Sequence, residues 1–423
     1  MVKKSTILYT IFFLLIFTAS VPYLAYGVSA IRSGYEVVGG LNASGVQVTG
    51  KMGILFGYCK DFFSAGLLAL TFVFSGRLKK NFFAGIVLTF IYGFVGLISS
   101  GHSDLRFLLA GARTFMFFCA AGVFFLSYIG FLYDNDCIRR LSRITHITII
   151  MQVVIVALQV TMSRSWGRFG SGAYRFSGLF PGSGNLGCYA IAVLLFLMIL
   201  NQKYRMLSNA LYLMDGFFLL FLSIASGTRT CMILVAFCYA YGIFSIYGRV
   251  LHLDRKVVLL FLAIMMLVFG SSAMSTIVAW TGRGALMDSG GGRIAFFTQM
   301  LNTASPLEFM IGRGIGVGTN ASISMGLQGT QVSDSTLNLI FTQFGVIGLI
   351  VGLIQFGKIC VKIYRTEKKY LNISICMILT LCVMLVVGNL FEHIAMCLYF
   401  VLSYFMIVEH KEADDNNEES IQL

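Results

Sequence analysis

The chain has 423 residues, 57% of them apolar and only 12% charged, with a mean hydropathy of +0.84. A fold in water cannot hide that much apolar surface, so lipid is the solvent for most of the chain. The formal charge of +13 is mostly what positive-inside topology leaves behind, and no nucleic-acid partner is implied by it.

A membrane barrel needs short segments that alternate apolar and polar. This sequence instead shows unbroken apolar runs of roughly 20 residues, the length a helix needs to cross a ~30 Å hydrocarbon core. The first, Ile7–Tyr26, follows Lys3 and Lys4. Val28-Ser29-Ala30 resembles a signal-cleavage site, but the run is long for a signal peptide and is read as the first helix. Further runs lie at Met52–Phe74, Phe82–Ser99, Phe107–Tyr133, Ile144–Met162, Asn185–Leu200, Leu211–Ala225, Cys231–Tyr247, Val257–Trp280, Ser335–Phe356, Leu371–Val387 and Ala395–Val408. The expected fold class is all-α: a polytopic integral membrane protein of about twelve transmembrane helices. One large outer loop, 281–334, separates the ninth helix from the tenth. Residues 1–409 form one domain, and 410–423 an acidic tail expected to be disordered.

The connectors alternate in charge. Arg77/Lys79/Lys80, Arg139/Arg140/Arg143, Lys203/Arg205, Arg249/Arg255/Lys256 and Lys358/Lys362/Arg365/Lys368/Lys369 mark the cytoplasmic side. Both termini fall on that side. The intervening segments, around 28–51, 101–106, 163–184, 226–230, 281–334 and 388–394, face out, and their basic residues are Arg except for Lys51. Cys137 and Cys360 lie in or beside basic connectors and the other eight cysteines in apolar runs, so no outer disulfide framework is expected. No CxxC or Cys/His cluster suggests a metal, and no cofactor is implied.

The outer arginines are Arg164, Arg168, Arg175, Arg229, Arg283, Arg293 and Arg313, with Arg106 and Arg113 at the start of the fourth run. Cationic residues on the translocated side work against the topology rule. The planar guanidinium fork suits phosphate and diphosphate oxygens, so the set points to an anionic ligand. Lipid head groups, or pairing with Asp288, Glu308 and Asp334, are the alternative for any single member. The segment 175–187, RFSGLFPGSGNLG, precedes the sixth run. Ser183 or Asn185 would cap that helix and leave its N-terminal amides beside Arg175 as an anion seat. Gly182 to Gly187 also fits G-x-G-x-x-G, but no strand precedes it, and a dinucleotide site is discarded.

Lys60 and Asp61 interrupt the second run and Arg113 the fourth, each roughly 10 Å deep at ~1.5 Å per residue. They form either an Asp61–Arg113 pair or a polar floor beneath a lipid phosphate. Asn42-Ala-Ser44 and Asn320-Ala-Ser322 are formal glycosylation triplets of a kind common by chance. Candidate general bases on the outer face are Asp104, Asp288, Glu308, Asp334, Glu392, His102 and His393. Asp334 and Glu392 stand at helix edges that can aim them. Asp334 reads equally as an N-cap.

Together these pieces resemble the O-antigen polymerase and ligase superfamily. Arg175-Phe-Ser-Gly-Leu-Phe with Pro181–Gly187 is similar to its R-x-x-G-x-x-x-x-(P)-N-x-x-G element, and Ser226-Gly-Thr-Arg-Thr230 to its S-G-S-R-T element. Gly312-Arg-Gly-Ile-Gly316, Asp334 to Ile340 with Gly345–Gly348, and Asn389-Leu-Phe-Glu392 match the end of its outer loop, the next helix and a late outer edge. The likeness spans Phe107 to Tyr404. It implies glycosyl transfer on the outer face of the bacterial inner membrane. The glycan on undecaprenyl diphosphate would be donor, and a lipid-linked repeat unit the acceptor. Arg175, Arg229, Arg293, Arg313 and Arg113 would contact the diphosphate. Asp334 or Glu392 would take the acceptor proton without a metal. Membrane lipids, a flippase and a chain-length regulator would be its partners. Where many members have His-Asn before the tenth helix, this chain has Asp334-Ser335, and 281–334 holds no His. That favours polymerase over ligase. A transporter of lipid-linked oligosaccharide, the non-enzymatic alternative, would show basic residues along both helix halves and internal repeats.

Overall fold

The computed structural model describes residues 4–24, 37–38, 41–42, 51–75, 80–102, 104–161, 176–180, 182–247, 298, 301–327, 335–366 and 370–408. Apart from a two-residue antiparallel pairing of β1 (Val37–Val38) with β2 (Leu41–Asn42), the regular elements described are helices. They are α1 (Lys4–Ser20), α2 (Lys51–Ser75), α3 (Lys80–Ser99), α4 (Arg106–Ser127), α5 (Asn135–Thr161), α6 (Ser183–Gln202), α7 (Asn209–Ala225), α8 (Arg229–Tyr247), α9 (Pro306–Ile311), α10 (Asn320–Ser324), α11 (Thr336–Tyr364), α12 (Leu371–Val387) and α13 (Ile394–Val408). A 3-10 turn, Ile129–Leu132, joins α4 to α5.

Each apolar run that falls within the described residues is a helix. The ninth run, Val257–Trp280, and the tail from 409 lie outside them. Helices α4, α5, α6, α8 and α11 are long and apolar enough to cross a membrane, and several shorter apolar helices pack with them. The polar stretch is not all loop. Its described part carries α9 and α10, and α9 is opened by a capping box between Ser305 and Glu308.

Helix α6 is the axis of the bundle. Its residues from Leu186 to Asn201 are all buried, and α7, α8, α12 and α13 pack around it. A helix apolar on every side must be covered on every side. Helix α5 joins this core through polar contacts. Thr145 Oγ1 meets the Tyr399 hydroxyl and Thr148 Oγ1 the Tyr189 hydroxyl, each at 2.9 Å, and Gln152 Nε2 donates to the Ser20 carbonyl at 2.7 Å. Asp215, fully buried on α7, faces His146 of α5 at 2.9 Å.

Helix α11 is broken at Gly345, where φ is 62° and ψ −162°. The break frees two carbonyls of the preceding turn, and the segment after α9 takes them. The Arg313 amide donates to Thr342 O at 2.8 Å and the Gly314 amide to Gln343 O at 3.1 Å. Gln343 Nε2 returns a bond to Val317 O at 3.2 Å. On the other side the Ile315 amide donates to Gly93 O at 3.1 Å, and Ser100 Oγ to Arg313 O at 2.9 Å. Ile315 is fully buried. Segment 312–317 is thus pinned between α3, α4 and α11. A Cβ on Gly345 would overlap the Met310 carbonyl, and one on Gly314 the Leu97 backbone. Both glycines also have positive φ, which L side chains resist. Substituting Gly345→Ala or Gly314→Ala is expected to cost at least about 1–3 kcal/mol through strain alone. Gly66→Ala, in open space on α2, should change stability by no more than about 1 kcal/mol. Thermal unfolding of the three variants in detergent is the check.

Candidate functional site

Four segments far apart in sequence meet at one end of the bundle. The Phe176 amide donates to Ala225 O at 3.1 Å, which ties the segment before α6 to the α7–α8 corner. Gly187, in the first turns of α6, lies so close to Ser226 and Cys231 that an added Cβ would stand 3.0 Å from Ser226 Oγ. Two residues earlier, His393 Nδ1 is hydrogen-bonded to Asn185 Oδ1. That bond brings in the corner before α13. The same corner holds the start of α11: the Thr336 amide donates to Gly388 O, and Thr336 Oγ1 accepts from the Leu390 amide, both at 2.9 Å. Glu392 then reaches α10, accepting from the Asn320 amide at 2.6 Å and from the Asn320 side-chain amide.

Two capping expectations are corrected. Gly182, in extended backbone, is the N-cap of α6, and neither Ser183 nor Asn185 closes it. The Asn185 side chain is used by His393. The N-cap of α11 is Ser335, whose Oγ accepts from the Asn338 amide, and not Asp334. Asp334 lies outside the described residues, as do Arg175 and Arg293.

Arg229 is the first residue of α8, half-buried, on the corner that Phe176 and Gly187 pack against. Among the described residues it has no hydrogen bond or ion pair, and Thr228 Oγ1 beside it is buried without a partner. Arg313 is differently placed. Its Nη2 donates to Thr303 Oγ1 at 2.9 Å and its Nε stands 3.9 Å from Glu308 Oε1. Its guanidinium is engaged by its own segment. His102, whose Nδ1 meets Ser100 Oγ at 2.8 Å, lies nearby, and burial followed by the Arg313 charge lowers its pKa.

Arg113 donates to Asp61 Oδ2 at 3.0 Å, with Lys60 Nζ 3.5 Å from the same oxygen and the Tyr58 ring 5.7 Å from the guanidinium. The sequence left a structural pair and a phosphate-facing role both open for it. The pair is present.

Asp288 also lies outside the described residues, and three of the described candidate bases are committed. Asp104 chelates Arg106 at 2.6 and 2.8 Å, and these hydrogen bonds lower its pKa. Glu308 closes its capping box, and Glu392 holds Asn320. His393 is held by one nitrogen only. Among the described residues its Nε2 has no partner, and burial pushes its pKa down to about 4. The partnership of Asn185 with His393, 208 positions apart, had no signal in the linear sequence. Among the described residues there is no group of three or more His, Cys, Asp or Glu able to hold a metal.

Comparison with protein-family models, curated proteins and solved structures finds no match for this chain.

Asp61→Ala is expected to destabilise the protein by about 3 kcal/mol, since it leaves Arg113 and Lys60 facing each other at depth. Asp61→Ala with Arg113→Ala should cost less than the sum of the two single changes, by at least about 1 kcal/mol in a double-mutant cycle. Unfolding of the four proteins in one detergent measures that coupling.

Proposed function

We propose that this chain is a membrane glycosyltransferase that polymerises undecaprenyl-diphosphate-linked oligosaccharide repeat units into a surface polysaccharide. On this reading the site faces the outer side of the bacterial inner membrane, both termini are cytoplasmic, and about twelve helices cross the bilayer.

The observation that carries the reading is the meeting of 176–187, 226–231, 335–336 and 388–393 through the contacts of Phe176, Gly187, Asn185 and Thr336. These are segments in which the sequence resembles the polymerase and ligase superfamily, and they share one end of the bundle. The charge pattern supports the orientation. Gln159, near the C-terminal end of α5, donates to Gly178 O at the site end, so Arg139, Arg140 and Arg143 at the start of that helix mark the opposite end. Lys203, whose Nζ donates to Met406 O at 2.8 Å, lies at that far end too. Basic residues gathered there are what a cytoplasmic face requires.

The leaving group of the reaction is a lipid diphosphate. A guanidinium that tightens on it as the glycosidic bond breaks lowers the barrier by electrostatic stabilisation. Arg229 is an arginine at this corner with no partner among the described residues; Arg175, which the resemblance assigns to the same diphosphate, lies outside them. Arg313, engaged by Thr303 and Glu308, holds the pinned segment in place.

A strain lacking the gene is expected to display single repeat units in place of a polymer ladder on its surface. Polymer kept on the lipid carrier but missing from the surface would point to a ligase. A normal ladder would overturn both. In the complemented strain Arg229→Lys should lower polymer formation about 100-fold, the order of one lost transition-state donor. Arg313→Lys should cost less. Gel analysis of surface polysaccharide, with immunoblots for membrane insertion, reads both.

A further inference from the structure

The glycosyl-transfer reading needs a group to take the acceptor proton, and both carboxylates that the sequence points to leave that role open. Asp334 lies outside the described residues. Glu392 accepts from the main-chain amide that opens α10 and from the Asn320 side chain. A carboxylate bound through both oxygens is a brace between α10 and the α12–α13 corner.

The next residue is placed differently. His393 sits at the head of α13, where its carbonyl accepts from the Cys397 amide at 2.9 Å, so its backbone is fixed by the first helical turn. Its Nδ1–H donates to Asn185 Oδ1, which sets the tautomer and leaves the lone pair on Nε2. The ring is half-buried and backs onto the first turn of α6, where a Cβ on Gly184 would stand 3.9 Å from Cε1. Ser226 and Cys231, which bracket Arg229 in the chain, close on Gly187 in the same stretch of α6. The arrangement is a neutral imidazole, oriented by a side-chain amide, at the end of α6 on which the corner carrying Arg229 also packs.

We propose that His393 is the general base of the transfer and Asn185 its positioning residue, an inference that rests on the glycosyl-transfer reading. The acceptor hydroxyl oxygen forms the new bond to the anomeric carbon of the donor. The bond from that carbon to the diphosphate oxygen breaks, and the electron pair leaves with the diphosphate. The hydroxyl proton passes to Nε2 and then to solvent. Burial keeps the ring uncharged at rest, and so ready to accept. A diphosphate bound beside it raises its proton affinity when the proton has to move.

The test uses full-length protein in lipid vesicles, supplied with lipid-linked repeat units extracted from the deletion strain. His393→Ala is expected to lose 100-fold or more in polymer formation, within the range of about 10²–10⁴ for a general base. Added imidazole should restore part of that activity, while His393→Gln should stay inactive with or without it. Asn185→Ala should lower the rate less and shift its pH profile, because the tautomer is no longer set. His393→Ala with activity within twofold of wild type overturns the proposal. So does a loss that imidazole leaves untouched and that comes with a lower unfolding temperature, which would make His393 a packing residue. Wild-type protein that joins no repeat units overturns the glycosyl-transfer reading, and this inference with it.

Discussion

The break in α11 at Gly345 and the bonds that close it are what the site end is built around. Hydrocarbon offers no water to an open carbonyl, and each one left unsatisfied costs several kcal/mol. A helix of 29 residues with a non-helical residue in its first half holds together only if another backbone takes the freed groups. The amides of Arg313 and Gly314 do so, at Thr342 and Gln343. The same bonds draw the end of a long polar stretch down between α3, α4 and α11. The irregular backbone from Gly314 to Val317 is buried between these helices, which take up its polar groups.

That anchoring has a consequence for Arg313. Its amide is bound to α11 and its carbonyl to Ser100, so its Cα has almost no freedom. Its side chain then meets Thr303 and Glu308. From the sequence, Arg313 and Arg229 looked alike, as outer arginines in Gly-rich surroundings. In the fold they separate into a guanidinium that meets Thr303 and Glu308 and one at the corner of α7 and α8 that has no partner among the described residues. Charge on one side of a membrane is legible in a sequence. Which charges already have partners is not.

Other parts were legible because their cause is local. An apolar run long enough to span hydrocarbon becomes a helix wherever it is described, and the boundaries of Leu371–Val387 match residue for residue. The pairing of Asp61 with Arg113 was one of the two readings that depth left open, since a charge there needs a partner of some kind. The caps were misplaced: Ser183 or Asn185 was expected where Gly182, with no side-chain oxygen, opens α6 by its extended backbone, and Asp334 where the adjacent Ser335 offers an equally good oxygen. The Asp215–His146 pair had no signal in the linear sequence, because the two residues lie 69 positions apart on different helices.

The polar groups of the bundle fall into two kinds, and the difference bears on function. Thr145, Thr148, Gln152 and Gln159 lie along one side of α5, and each is matched to a hydroxyl or a backbone group on a neighbour. Matched pairs of this sort fasten helices in a solvent where apolar contact alone gives no preference. At the site end the matching is incomplete. Among the described residues, Arg229 and the Nε2 of His393 have no partner; His393 stands against Gly184 of α6, and Arg229 lies between Ser226 and Cys231, which close on Gly187. Buried hydroxyls on other helices, Ser64, Thr71, Thr380 and Ser403 among them, also lack a hydrogen-bond partner among the described residues, so an open polar group does not by itself mark a site; what sets His393 apart is that a side-chain amide orients its ring.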